Sequence, residues 1–173
     1  MVQHIIVIRG SPGIGKSTIA KQLATHIPGN VSVVDIDVLR YKLIPKRSEE
    51  FNDHNLVYRN LMDICKNTLN EGLSIIIEGI LASKDEKGSL RIDEFEKFSG
   101  PEIKVTRLFL KGSKETQELR LKKGDKQLSS NKIQEWTQLA NSTLTKKDCV
   151  IDTNDKAKGT IIGDILKIIK NQE

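Results

Sequence analysis

A glycine-rich segment placed directly after a short apolar run narrows the possible folds of this chain more than any other segment. The segment reads Gly-Ser-Pro-Gly-Ile-Gly-Lys-Ser-Thr from residue 10 to residue 18 and fits the pattern GxxxxGK[ST]. Its glycines let the backbone turn so that successive N–H groups point at phosphate oxygens, and the positive N-terminal end of a following helix strengthens that attraction. We therefore predict a nucleoside-triphosphate site formed by Gly10, Ser11, Pro12, Gly13, Ile14, Gly15, Lys16, Ser17 and Thr18.

The two residues after the last glycine carry the phosphate chemistry. The Lys16 ammonium is predicted to reach the β- and γ-phosphates and the Ser17 hydroxyl to ligate Mg²⁺, so the predicted cofactors are ATP and Mg²⁺. The sequence has no NKxD segment to read guanine, and its third apolar run ends in the single acid Glu78 instead of the acidic pair of ring ATPases. These absences favour phosphate transfer to a bound acceptor, with Lys16 as a catalytic residue, over hydrolysis.

Short apolar runs alternate with longer helical segments along the whole chain. Runs of this kind predict strands at residues 5–8, 31–36, 75–77, 103–110 and 150–151. The segments between and after them predict helices at residues 16–26, 55–71, 90–98, 114–122, 132–144 and 161–169. Strands that are apolar on both faces belong to a parallel sheet covered on both sides, so we predict a single three-layer α/β domain over residues 1–173. Polar breaks at residues 42–53 and 122–130 indicate a surface excursion and a candidate mobile lid, the latter within about residues 112–135.

Composition limits the partners that this domain can have. The chain has 173 residues, of which 37% are hydrophobic, and a net charge of +5, which suits a phosphate-bearing ligand without requiring nucleic acid. Aromatic residues make up only 4%, which is few for stacking single-stranded bases. Cys65 and Cys149 lie too far apart in sequence for a CxxC pair. No apolar run approaches a membrane span and the N-terminus lacks a secretory pattern, so we expect a cytoplasmic protein, as a monomer or homodimer.

Acidic and basic residues follow the second strand where an acceptor would lie. Ligands of open α/β sheets bind beyond the carboxyl ends of the strands. Asp37 is the predicted base that accepts the proton of an attacking hydroxyl, Asp35 is predicted to hold Mg²⁺ through water, and Arg40 to clamp an anionic group of the acceptor. The competing interpretation is that Asp35 or Asp37 only caps the following helix.

The third strand ends in Glu78-Gly79, which we assign to the acceptor site. For Glu78 a contact to the acceptor, a water-mediated contact to Mg²⁺ and a plain strand-end salt bridge to a lysine all stay open. His54, in the polar excursion, is either a substrate contact or a solvated histidine.

Later segments are predicted to complete the nucleotide site. Arg120 lies near the end of a helix that leads into the basic lid, and a cation there can neutralise charge on the transferring phosphoryl group. After the fifth strand, Asp152 and Thr153 are predicted to fix a turn whose backbone contacts adenine.

Together these motifs resemble the P-loop kinases of the shikimate kinase, gluconate kinase, chloramphenicol phosphotransferase and polynucleotide kinase type. The matching segments run over nearly the whole chain in family order: residues 10–17, 35–37, 118–120 and 150–153. The resemblance implies a five-stranded parallel sheet of order 2-3-1-4-5, MgATP as donor and a small lid over the phosphates. Asp37-Val38-Leu39-Arg40 is similar to the DxxR of polynucleotide kinases, in which the aspartate is the base and the arginine touches a substrate phosphate. Where the family's lid usually has a second arginine, this chain has Lys123 and Lys126.

The sequence therefore predicts an ATP-dependent kinase acting on a hydroxyl of a small molecule. Two alternatives stay open. One is a 5′-hydroxyl kinase of nucleic acid, favoured by the pair Asp37 and Arg40; the other is a nucleotide-binding regulatory module with little transfer activity.

Overall fold

The computed structural model describes residues 2–46, 54–122 and 128–172. The strands are β1 (Gln3–Gly10), β2 (Val31–Asp35), β3 (Ser74–Gly79), β4 (Ile103–Lys111) and β5 (Cys149–Asp152). The α-helices are α1 (Lys16–Ala24), α2 (His54–Asn70), α3 (Lys114–Lys122), α4 (Ser130–Ser142) and α5 (Lys158–Lys170). A short π-helix covers Val38–Lys42 and a 3₁₀ helix covers Arg91–Phe98.

The five strands form one parallel sheet in the order β2-β3-β1-β4-β5, which confirms the predicted fold and strand order. β1 lies at the centre, where Ile5, Ile6, Val7 and Ile8 have no exposed surface. Successive side chains of a strand point to opposite faces. Accordingly Ile6 and Ile8 pack into a core with α1 and α5, whereas Ile5 and Val7 pack into a second core with α2 and the 3₁₀ helix. This double coverage explains why β1 is continuously apolar.

Some predicted elements differ in detail from the observed ones. The segment predicted as a helix at 90–98 is a 3₁₀ helix, in which Ile92 and Phe95, three residues apart, are both buried. Helix α4 begins two residues before its predicted start, where the Ser129 side chain accepts a hydrogen bond from the backbone N–H of Lys132. The lid residues Lys123 and Lys126, and most of the polar excursion, lie outside the described residues. None of the helices in the described ranges has the length and apolar character needed to span a bilayer.

A buried ionic network connects β1 and β4 to the segment before β5. The Asp148 carboxylate accepts hydrogen bonds from Arg9 Nη2 at 3.0 Å and from Arg107 Nε at 3.4 Å. The side chains of Arg9 and Asp148 are both 0% exposed. Thr143, at the end of α4, completes the environment of Arg9 by accepting from Nη1 at its hydroxyl and from Nη2 at its carbonyl. Charges removed from water in this way are stable only while they are paired.

Candidate functional site

The carboxyl ends of β1, β2 and β3 open into one cavity of about 1630 Å³. This is the edge of a parallel sheet at which ligands bind. Most of the residues predicted for the site line this cavity: Pro12, Gly13, Ile14, Gly15, Lys16, Ser17, Thr18, Asp35, Asp37, Arg40, Glu78 and Arg120. Segments far apart in the sequence therefore meet at a single place.

The loop between β1 and α1 forms a cradle open to anions. Gly10 has a φ of +140°, and a Cβ there would lie 2.4 Å from the carbonyl oxygen of Leu110, so only glycine fits this turn. The Lys16 ammonium folds back over the loop and donates to the carbonyl of Ser11 at 2.9 Å. Helix α1 has no acidic residue in its first turn and no side-chain cap, so its first N–H groups are available to a phosphate.

Arg120 ties the cradle to the end of β5. Its Nη1 donates to the carbonyl of Ile14 at 2.8 Å and to the Thr153 hydroxyl at 3.1 Å, and its Nη2 donates to the Thr153 carbonyl at 2.9 Å. Thr153 is fully buried and its own hydroxyl donates to the carbonyl of Lys111 at 3.0 Å. The guanidinium is therefore held beside the phosphate loop by contacts on two different segments.

The end of β3 places a buried carboxylate against the cradle. Glu78 pairs in register with Ile8 of β1 and Asp35 of β2, and it is 3% exposed. Burial raises the pKa of the Glu78 carboxyl above its ordinary value, and a hydrogen bond from the Ser17 hydroxyl opposes that rise. The nearby negative charge of Asp35 raises the pKa further, whereas the positive charge of Lys16 lowers it. A neighbouring cation would therefore stabilise the ionised form of the buried Glu78 carboxylate.

The oxygen donors at this point fit Mg²⁺. Ser17 and Glu78 supply a hydroxyl and a carboxylate oxygen, which are ligands that Mg²⁺ prefers, and Asp35 and Asp37 lie close enough to act on Glu78 electrostatically. Among the described residues, no group of three or more His, Cys, Asp or Glu side chains is arranged to hold a metal ion alone. Mg²⁺ in nucleotide sites needs only one or two protein oxygens, because phosphates and water supply the rest.

The two aspartates at the end of β2 differ in their contacts to the backbone. The Asp35 carboxylate accepts the backbone N–H of Asp37 at 2.8 Å, so Asp35 closes the turn that leads into the π-helix. Asp37 occupies the residue before that helix, and its carboxylate makes no capping hydrogen bond to it. The capping interpretation thus applies to the turn at Asp35 and not to the Asp37 side chain.

Beyond Asp37 the cavity has a second polar wall that sequence patterns did not indicate. Its members come from the start of α2, the segment after β3 and the 3₁₀ helix: His54, Asn55, Tyr58, Ser83 and Arg91. Arg40 Nη2 lies 3.4 Å from His54 Nε2, and His54 Nδ1 lies 2.9 Å from the Ser83 hydroxyl. Since a guanidinium only donates, Nε2 accepts and Nδ1 carries the proton of the neutral ring. No motif marks these residues, although a substrate contact was one of the two interpretations left open for His54.

The other predicted site residues are not part of the cavity wall: Gly10, Ser11, Gly79, Asp152 and Thr153. At Gly79 a Cβ would lie 2.3 Å from Ile36 Cγ2, so close packing explains the glycine. Asp152 accepts the backbone N–H of Asn154 at 3.0 Å, and Asn154 in turn accepts the backbone N–H of Ser113 at 2.7 Å. These bonds fix the turn after β5, and the contact of that turn to adenine stays a prediction.

Comparisons with known proteins agree with this architecture. The family model described as AAA domain matches residues 5–98, which is more than half of the chain. A sugar kinase from Janibacter sp. HTCC2649 superposes with a TM-score of 0.69 at 18% identity, covering 98% of this chain and 95% of that one. The tunicamycin resistance protein of Deinococcus radiodurans gives 0.69 at 20% identity, covering 96% and 95%. Thymidylate kinase from Candida albicans gives 0.67 at 18% identity, covering 98% and 92%. No curated protein matches the chain. The resemblance to P-loop kinases is confirmed at the level of the fold.

Proposed function

The chain belongs to the family of AAA domains, and we propose that it is a kinase. It would transfer the γ-phosphate of MgATP to a hydroxyl group of a small molecule. One observation carries the proposal. A carboxylate that follows β2, Asp37, shares a cavity with the phosphate cradle around Lys16 and Ser17. A donor site and a candidate base in one cavity suit transfer to a second bound molecule.

The chemistry assigned to the cradle is charge stabilisation. The backbone N–H groups of residues 13–18 and the Lys16 ammonium would bind the β- and γ-phosphates, and Arg120 would add positive charge at the loop that its Nη1 already contacts. When bound, Mg²⁺ would neutralise charge on the phosphate oxygens, held by Ser17 with Glu78 or Asp35. These interactions would stabilise the negative charge that develops on the phosphoryl group during its transfer.

The chemistry assigned to Asp37 is proton removal. The acceptor hydroxyl forms a new O–P bond while the bond between the γ-phosphorus and its bridging oxygen breaks, and the electron pair of that bond leaves with ADP. The hydroxyl proton moves to the Asp37 carboxylate. Arg40 lies one helical turn from Asp37 and lines the same cavity, so it can orient the acceptor.

The test begins with an ATP-consumption screen of hydroxylated metabolites, antibiotics and 5′-hydroxyl oligonucleotides. We expect turnover with a small molecule. Turnover only with the oligonucleotides would instead establish the alternative that the Asp37–Arg40 spacing favours, a 5′-hydroxyl kinase. Nucleotide binding without transfer to any acceptor would indicate a regulatory module.

With an acceptor in hand, Asp37→Asn tests the assignment of the base. Loss of a general base typically lowers the rate by ~10²–10⁴-fold. Binding of ATP should persist, because the cradle and Lys16 carry it. The matched control is Asp63→Asn, an exposed position on α2 outside the cavity, which should leave the rate unchanged. Unchanged activity in Asp37→Asn would move the base elsewhere, with Glu78 the next candidate, and a large fall in melting temperature would make Asp37 a structural residue.

A further inference from the structure

The second polar wall of the cavity contains a buried tyrosine whose hydroxyl has no partner among the described residues. Tyr58 is 3% exposed, lines the cavity, and its Oη makes no hydrogen bond there. A buried hydroxyl without a partner is costly in a folded protein. This position therefore suits a group that arrives with the ligand.

Two arginines act on the Tyr58 side chain. The Arg91 guanidinium carbon lies 5.7 Å from the centre of the Tyr58 ring, and Arg91 Nε is also a buried donor without a partner among the described residues. Arg9 and Arg91 both act on Tyr58 electrostatically. Burial raises the pKa of the Tyr58 hydroxyl, so the group stays protonated and can donate.

Two residues in the first turn of α2 contact Arg40 and Arg91, which both line the cavity. His54 contacts Arg40, and the next residue, Asn55, accepts a hydrogen bond from Arg91 Nη2 through its Oδ1. The backbone N–H of Arg91 donates to the carbonyl of Ser83 at 3.0 Å, which attaches the 3₁₀ helix to the segment after β3. Both guanidinium groups are thus placed by residues of one helix turn.

Two described acidic residues near Arg91 and the cavity already have partners. Glu94 lies 3.4 Å from Arg91 Nη1 and also pairs with Lys97 at 3.8 Å, so it only partly neutralises Arg91. Asp85 lines the cavity, but its Oδ1 already accepts the backbone N–H groups of Lys87 and Ser89 at 2.9 and 2.8 Å. Glu86 lines the same cavity.

We propose that Tyr58 and Arg91 form a subsite for an anionic group of the acceptor, a carboxylate or a phosphate remote from the hydroxyl that is phosphorylated. An anionic group offers several acceptor lone pairs to the Tyr58 hydroxyl and the Arg91 Nε–H, and it brings a counter-charge for Arg91 that a neutral hydroxyl lacks. The inference rests on the proposed function for the identity of the acceptor, and it narrows that acceptor to hydroxylated acids or phosphorylated alcohols.

The first test needs no turnover. With a non-hydrolysable ATP analogue and Mg²⁺ filling the cradle, thermal unfolding is followed in inorganic phosphate, acetate or chloride at constant ionic strength. We expect phosphate or acetate, but not chloride, to raise the melting temperature, and the anion that does so distinguishes the two sources. The stabilisation should be lost in Tyr58→Phe and in Arg91→Gln and kept in Lys66→Gln, a matched loss of positive charge at an exposed position of α2 outside the cavity. Equal effects of all three anions, or retention in both variants, would overturn the inference.

The second test uses acceptors that share hydroxyl groups and differ only in the anionic group, such as glycerol, glycerate and glycerol phosphate. We expect ATP consumption to favour an anionic member, and Tyr58→Phe to raise its KM by about tenfold or more while the KM for ATP stays unchanged. Preference for the neutral member would overturn the subsite and leave the kinase proposal intact. Anion-dependent stabilisation without ATP consumption in the wider screen would have the opposite meaning, because it supports the subsite and contradicts the kinase.

Discussion

Replacing Asp148 by alanine should strongly destabilise the protein although Asp148 lies outside the site. Its carboxylate accepts from Arg9 Nη2 at 3.0 Å, from Arg107 Nε at 3.4 Å and from the backbone N–H of Thr145 at 2.8 Å. The alanine variant keeps the Arg9 guanidinium buried in the sheet without its counter-charge. Burial already lowers the pKa of Arg9, and the attraction of Asp148 counteracts that effect.

The size of the loss follows from the burial of both partners. Removing one member of a buried ion pair typically costs about 3–5 kcal/mol, because an uncompensated charge is left out of water. For a chain of this length about 1 kcal/mol shifts the melting temperature by roughly 2–4 °C. We therefore expect Asp148→Ala to lower the melting temperature by roughly 6–20 °C, measured by circular dichroism, with urea unfolding as the isothermal check.

The same network offers a matched control. Asp93 pairs with Arg107 Nη1 at 2.5 Å, but its side chain is 41% exposed, so water can replace it. The buried Arg107 keeps Asp148 as its counter-charge in Asp93→Ala, so this variant should lower the melting temperature by clearly less than Asp148→Ala does. Equal losses in the two variants would refute the reasoning from burial, as would a loss in Asp148→Ala of less than about 1 kcal/mol.

Two further predictions concern the cradle. Lys16→Ala should abolish or greatly weaken MgATP binding, measured by calorimetry. The melting temperature should stay unchanged, because Lys16 contacts the loop through the Ser11 carbonyl and packs into neither core. An unaltered affinity for MgATP would contradict the assignment of the cradle. In buffer with chelator, Glu78→Gln should raise the melting temperature at neutral pH, because burial raises the pKa of Glu78 in the folded protein above its ordinary value of 4.5. The wild-type protein loses stability as the pH rises through that folded pKa, so the advantage of the amide should shrink as the pH falls to about 4.5; a constant difference at all pH values would argue against this environment.

Local sequence patterns were sufficient to predict the fold and the phosphate cradle. Continuous apolar runs such as residues 5–8 indicate strands covered on both faces, and their alternation with helices leaves few topologies for a parallel sheet. The cradle is contiguous in sequence, and its glycines and Lys16 are required by backbone geometry and charge that act over a few residues. Asp37 and Arg40 could be predicted to lie near the cradle, because the carboxyl ends of neighbouring parallel strands share one edge of the sheet.

Only the tertiary structure decided which charged groups leave water and which of them meet. Arg9 and Asp148 are separated by 139 positions, and nothing near either residue indicates that the two bury one another. Glu78 contacts Ser17 because β3 pairs in register beside β1, and Tyr58 and Arg91 come together from a helix and a 3₁₀ segment that carry no motif. Such pairings depend on which faces and ends of the elements touch, because desolvation and Coulomb energy are set by distance in space and not by spacing along the chain.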